Sequence, residues 1–108
     1  MSHDYEQQWN DTLWAWRDLS SREKMPDEID LDIQFLPARD PRWTDVQMAL
    51  AEAGYRVYRY EDGCTLETSI GPILNTPDEI WRHERACTEI ALEFGFKPDG
   101  WGFLVPPE

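Results

Sequence analysis

Basic residues are scarce in this chain. Lys and Arg number 10 against 22 Asp and Glu, which leaves a net charge of −12 at pH 7. Nucleic acid and anionic membranes are polyanions and repel such a chain, so neither is expected as a direct partner. Cysteine is scarcer still. Two residues, Cys64 and Cys87, make neither a disulfide framework nor a metal cluster. Long apolar runs are missing, which excludes a helix that spans a bilayer. The opening residues, MSHDYEQQW, lack the charged-then-apolar order of a secretion signal, so a cytoplasmic protein is expected. There is no Gly-rich phosphate loop, no G-x-S-x-G elbow and no H-E-x-x-H pair. Catalysis, a bound metal and a cofactor are therefore not expected.

Core-forming residues are plentiful. Apolar residues make up 41% of the chain and aromatics 13%, with six Trp, which argues against disorder. A length of 108 residues allows one domain with one core. Charge is unevenly spread. Residues 1–30 hold eight acids and three bases, residues 31–60 four of each, and residues 61–108 ten acids and three bases. Such a surface either only keeps the protein soluble or steers a basic partner towards it.

Hydrophobic periodicity divides the chain into seven elements. Asp4 to Lys24 reads as a helix, with Tyr5, Trp9, Thr12, Leu13, Trp16 and Leu19 on one side and Trp14 opposite. Ile29 to Pro37 alternates as a half-buried strand, Ile29, Leu31, Ile33 and Phe35 inward, Asp30, Asp32 and Gln34 outward. Asp40-Pro41 has the form of a helix cap, and the stripe Trp43, Val46, Ala49, Leu50 and Ala53 follows, closed by Gly54. Tyr55 to Tyr60 and Cys64 to Ile70 read as a hairpin around Glu61-Asp62-Gly63, ended by Gly71-Pro72. Thr76-Pro77-Asp78-Glu79 opens a second long helix with capping-box spacing. Its stripe is Ile80, His83, Cys87, Ile90, Ala91 and Phe94. Asp78 with Arg82, and Arg85 with Glu89, have the i,i+4 spacing of exposed ion pairs. A turn over Lys97 to Gly100 precedes a last strand, Trp101 to Val105. After the first helix the order is βαββαβ. That predicts an α+β fold, a ferredoxin-like sandwich with a four-stranded antiparallel sheet and an extra N-terminal helix. Residues 1–25 form the added helix and residues 26–108 the sandwich. The added helix is expected over part of the sheet face that the other two leave free.

Few residues carry a chemical signal. Asp30 and Asp32 share a strand face, but a Ca²⁺ or Mg²⁺ site needs more oxygen ligands. His83 and Cys87 lie one helical turn apart, with Cys64 expected on a strand beneath them. This is too sparse for zinc and lacks an oxyanion site for a nucleophile, so both read as core. Trp14, opposite the apolar stripe, is either buried by a second contact or exposed for a partner. Trp81, at a stripe's flank, reads as core. Tyr58, Tyr60, Arg56 and Arg59 suggest the aromatic, basic sheet of an RNA-recognition fold, but its motif is absent and the net charge opposes it. The open sheet face near Asp30, Asp32, Tyr58 and Tyr60 is the natural place for a small ligand.

The segment Pro98-Asp99-Gly100-Trp101-Gly102-Phe103 resembles the D-G-W-G signature of the RraB family, regulators of ribonuclease E. The acidic leading helix, Pro26-Asp27-Glu28 before the first strand, and Ala53-Gly54-Tyr55-Arg56-Val57 agree with that family in order. Its known members run on into a long acidic tail, whereas this sequence ends at Pro107-Glu108. The resemblance implies a ferredoxin-like fold and a non-enzymatic protein that binds ribonuclease E and changes RNA turnover. In the motif, Asp99-Gly100 is expected to turn the chain, Trp101 to bury its ring, and Gly102 to leave space for a neighbour. An acidic surface also suits an immunity-type inhibitor of another nuclease. The candidate partner-binding residues lie outside the apolar stripes: Asp11, Asp18, Glu89 and Glu93, with Trp14 as the apolar anchor.

Overall fold

A computed structural model describes residues 2–105. The elements are α1 (Tyr5–Arg22), β1 (Glu28–Pro37), α2 (Trp43–Glu52), β2 (Arg56–Arg59), β3 (Leu66–Leu74), α3 (Pro77–Glu93) and β4 (Phe96–Leu104). The four strands form one antiparallel sheet in the order β2-β3-β1-β4, so the fold is α+β with its first helix outside the βαββαβ series.

Alternation in β1 decides which face is covered. Ile29, Leu31, Ile33 and Phe35 are fully buried against Val46 and Leu50 of α2 and Ile80, Cys87 and Ala91 of α3. The intervening Asp30, Asp32 and Gln34 face the other way with their register partners Ser69 and Glu67. There Ser69 donates to Asp32, and both Gln34 and Tyr60 donate to Glu67. That face is polar because its side chains satisfy one another. The first helix does not cover it. α1 packs beside α3, and Trp101, which meets it, sits on the β1 core side as the register partner of Ile33. The helix joins α3 because Trp81 there meets Trp9 and because Glu84 and Thr88 bond with Thr12 and Gln8, whereas the polar sheet face offers an apolar stripe nothing to bury against.

Local chemistry moves several boundaries. Asp40 has φ +50 and does not cap α2, which starts at Trp43 after Arg42 without a side-chain cap. The intervening loop is instead pinned to the end of α3, where Ala38 N–H donates to Gly95 C=O and Arg42 N–H to Phe94 C=O. Gly95, at φ +88, is required there, because a Cβ would lie 2.9 Å from the Asp40 carbonyl oxygen. Gly71-Pro72 does not end β3. The strand bulges past Asp30 and pairs again at Ile73 and Leu74. A Cβ on Gly71 would stand 2.7 Å from Asp30 Cα, so only glycine permits that approach. Lys97 to Gly100 is likewise no turn but part of β4. Pro98 pairs with Phe35 and Gly100 with Gln34, which leaves Asp99 as the extra residue of a bulge with Gly100 at φ +121. Cys64 is exposed in the β2–β3 connection, not on a strand beneath His83, because Asp62 accepts from the Cys64 and Thr65 N–H groups and holds the chain in a turn. These bonds keep the Asp62 carboxyl below its ordinary range.

Candidate functional site

The site is assembled where α1, α3 and β4 meet. Asp4 caps α1 by accepting from Gln7 N–H at 3.0 Å. Trp9, Thr12 and Trp16 then fall towards α3 at helical spacing. Trp9 tilts against Trp81 with ring centroids 5.7 Å apart, and Trp16 Nε1 donates to Asn75 at 3.0 Å. α3 is begun by Thr76, whose hydroxyl accepts from Glu79 N–H at 3.1 Å. The Glu79 carboxylate does not return that bond. It pairs with Arg82, which for the same reason is not the partner of Asp78.

Between the helices lies a buried carboxylate. Glu84 is 3% exposed, and its oxygens accept from Thr12 Oγ1 at 2.5 Å and Gln8 Nε2 at 3.2 Å. Gln8 also donates to Thr88. Burial pushes the Glu84 carboxyl above its ordinary range, while the Thr12 and Gln8 donors pull it down. Trp101 Nε1 donates to Thr12 Oγ1 at 3.2 Å. A hydroxyl has one proton, so the bonds run in one direction, from the Trp101 indole to Thr12 and from Thr12 to Glu84. This chain sets the position of the Trp101 ring, which stacks on Phe103 at 6.5 Å.

A groove of about 810 Å³ opens between α1 and β4 beside that chain. Ala15, Leu19, Pro98, Trp101 and Phe103 supply apolar wall, and Asp4, Asp11 and Asp99 supply three exposed carboxylates, with Glu84 buried behind them. His3 is the basic residue among its described lining. The groove therefore offers apolar contact and negative charge together.

The motif residues Asp99, Gly100, Trp101 and Gly102 all line this groove. Gly102 does not make room for a neighbour, since no described atom comes within 4 Å of where its Cβ would be. Of the acids expected to bind a partner, Asp11 lines the groove and accepts from Gln7 Nε2. Trp14 is 70% exposed, which resolves the alternative left by its position opposite the stripe. Asp18 follows one turn on, paired with Arg22 at 2.8 Å. Asp11, Trp14 and Asp18 thus share one side of α1. Glu89 and Glu93 are exposed on α3, outside the groove, Glu89 paired with Arg85 at 3.2 Å. The Glu93 carbonyl accepts from Arg42.

Sequence reasoning missed Glu84 and Thr88. Its single apolar stripe left both on the flank of α3, yet Glu84 and Thr88 lie one turn apart on a second face, which meets Gln8 and Thr12 of α1. Tyr55 meets both His83 and Cys87. Arg82 donates to His83 Nε2 at 3.1 Å, so Nδ1 carries the ring proton and donates to the Tyr55 oxygen at 2.9 Å. Burial and then the Arg82 charge lower the His83 pKa. Cys87 receives the Thr68 hydroxyl, and burial pushes its thiol up to about 11, far from a nucleophilic thiolate at neutral pH. Among the described residues no three His, Cys, Asp or Glu side chains converge on a metal position, and no helix is long and apolar enough to cross a membrane. No protein-family model and no curated protein matches the chain.

Proposed function

We propose that the chain is a non-enzymatic, acidic regulatory protein of the cytoplasm. In this reading it binds a basic segment of a ribonuclease of the ribonuclease E type and so alters RNA turnover. The domain is read as a ferredoxin-like sandwich over residues 26–108 with the helix of residues 1–25 added to it, a reading the strand order β2-β3-β1-β4 supports. The observation that carries the function is Trp14, 70% exposed on the same side of α1 as Asp11 and Asp18. An exposed Trp flanked by carboxylates suits an Arg-rich segment, because the ring provides apolar and cation–π contact while the acids neutralise the guanidinium groups. Such segments also bind RNA, so occupancy by an acidic protein competes with RNA for them.

The test is capture from an extract of the native host with tagged protein, at low and moderate salt, read by mass spectrometry. Recovery of a ribonuclease, weakened by salt and by Trp14→Ala, is the expected result. Recovery of an unrelated basic nuclease would replace the target by that of an immunity-type inhibitor. Capture of neither would overturn the reading and turn attention to the open sheet face near Asp30, Asp32, Tyr58 and Tyr60 as a small-ligand surface.

A further inference from the structure

We propose that the groove between α1 and β4 is a docking site for an extended, Arg- or Lys-bearing segment of a partner protein, which adds as a fifth strand on the free edge of β4.

The first argument is the edge itself. β4 stands at the end of the sheet with β1 as its partner. An edge strand presents a row of N–H and C=O groups to any other chain, and proteins usually blunt it with charge, proline or a bulge. Here all three devices sit at Lys97, Pro98 and Asp99. Beyond the bulge, Gly100 to Leu104 pairs regularly with β1 from Gln34 to Asp30 and contains neither charge nor proline. Among the described residues that is five residues of unprotected edge, about the length of an ordinary strand.

The second argument is what lies on each side of it. Trp101 and Phe103 share the β1 core side and line the groove, whereas Gly100 and Gly102 alternate with them and have nothing within 4 Å of a Cβ position. The glycines leave the opposite face of this edge clear of side chains, and every second side chain of an added strand would enter the groove. The groove volume, about 810 Å³, lies within the range of ordinary ligand sites.

The third argument is charge. The exposed Asp4, Asp11 and Asp99 line the groove, and among the described residues His3 is its base. A long basic side chain lays its methylenes along Trp101 while its head group meets Asp11 and Asp99 at the rim. Only the choice of a protein partner rests on the function proposed above; the edge, the groove and its charge are features of the chain.

The test uses the full chain, ¹⁵N-labelled, titrated with a short synthetic peptide of alternating Arg and Val. Three comparisons accompany it: the same peptide with Glu for Arg, and the Arg peptide N-methylated at alternate residues in each of the two registers. Amide shifts confined to Gly100–Leu104 and the groove side of α1 are expected. The Glu peptide should not bind, and N-methylation in one register should weaken binding at least tenfold. Asp11→Lys and Asp99→Lys should each weaken it about tenfold, with Glu52→Lys on α2 leaving it unchanged. Shifts centred on Trp14, Glu89 and Glu93, equal binding of both N-methylated peptides, or no binding at millimolar peptide would overturn the docking site. A ribonuclease captured as strongly by the Asp99→Lys protein would remove the groove and leave the regulator reading standing.

Discussion

α3 meets its two neighbouring helices by different chemistry. Towards α2 and the sheet it presents Ile80, Cys87 and Ala91, all fully buried in the apolar core with Val46 and Leu50. Towards α1 it presents Trp81, which meets Trp9, and also Glu84 and Thr88, buried as deeply as the core but held by hydrogen bonds from Thr12 and Gln8. Apolar burial is non-directional and tolerates small shifts, whereas a buried carboxylate must keep its donors or lose them at a cost. The α2 side therefore supplies stability, and the α1 side supplies a defined geometry. That geometry ends at Trp101 and so at the wall of the groove.

The largest effect is expected on the apolar side. Leu50→Ala should cost about 2–5 kcal/mol by urea unfolding, since it removes a fully buried side chain and leaves a cavity. A cost no larger than that of a surface change would end the contrast between the two sides. On the polar side, Thr12→Val keeps the shape and removes the hydroxyl. It leaves Glu84 short of a donor and Trp101 Nε1 without its acceptor, for about 1–3 kcal/mol by the same measurement. Near-ultraviolet circular dichroism should change as well, because the Trp101 ring loses its anchor.

Glu84→Gln tests the sign of the electrostatics. The folded protein raises the Glu84 pKa above its ordinary value of 4.5, so it favours the protonated form. Stability from this group is complete below 4.5 and is lost as pH rises through the raised value. Lowering the pH from neutral should therefore stabilise the natural protein relative to Glu84→Gln, which has no such proton to gain. A difference between the two that does not change with pH would contradict the cause assigned to the shift. The smallest effect belongs to Arg22→Ala at the exposed end of α1. Its pair with Asp18 is solvated on both sides, and the loss should stay below about 0.5 kcal/mol.

Much of this architecture was legible in the residues. The alternation of Ile29 to Phe35 and the Thr76-Pro77 opening each found their element, because burial on one face and capping are local rules. The breaks placed at Gly71-Pro72 and at Lys97 to Gly100 were misread for a shared reason. Glycine and proline mark a departure from regular backbone, but a bulge inside a strand and a turn between strands use the same residues, and only pairing with β1 distinguishes them. Asp40-Pro41 failed as a cap because three backbone bonds to Phe94 and Gly95 hold that loop in another shape.

Composition and periodicity determined the acidic character and the element order, because each depends on residues close in sequence or on their sum, and they left the exposure of Trp14 open. The placement of α1 beside α3 was decided by the folded chain, as were the burial of Glu84 and the groove that brings Asp11 to Asp99 through Trp101. Thr12, Glu84 and Trp101 are scattered along the sequence, and none needs the others until packing excludes water and leaves each with one available hydrogen-bond partner.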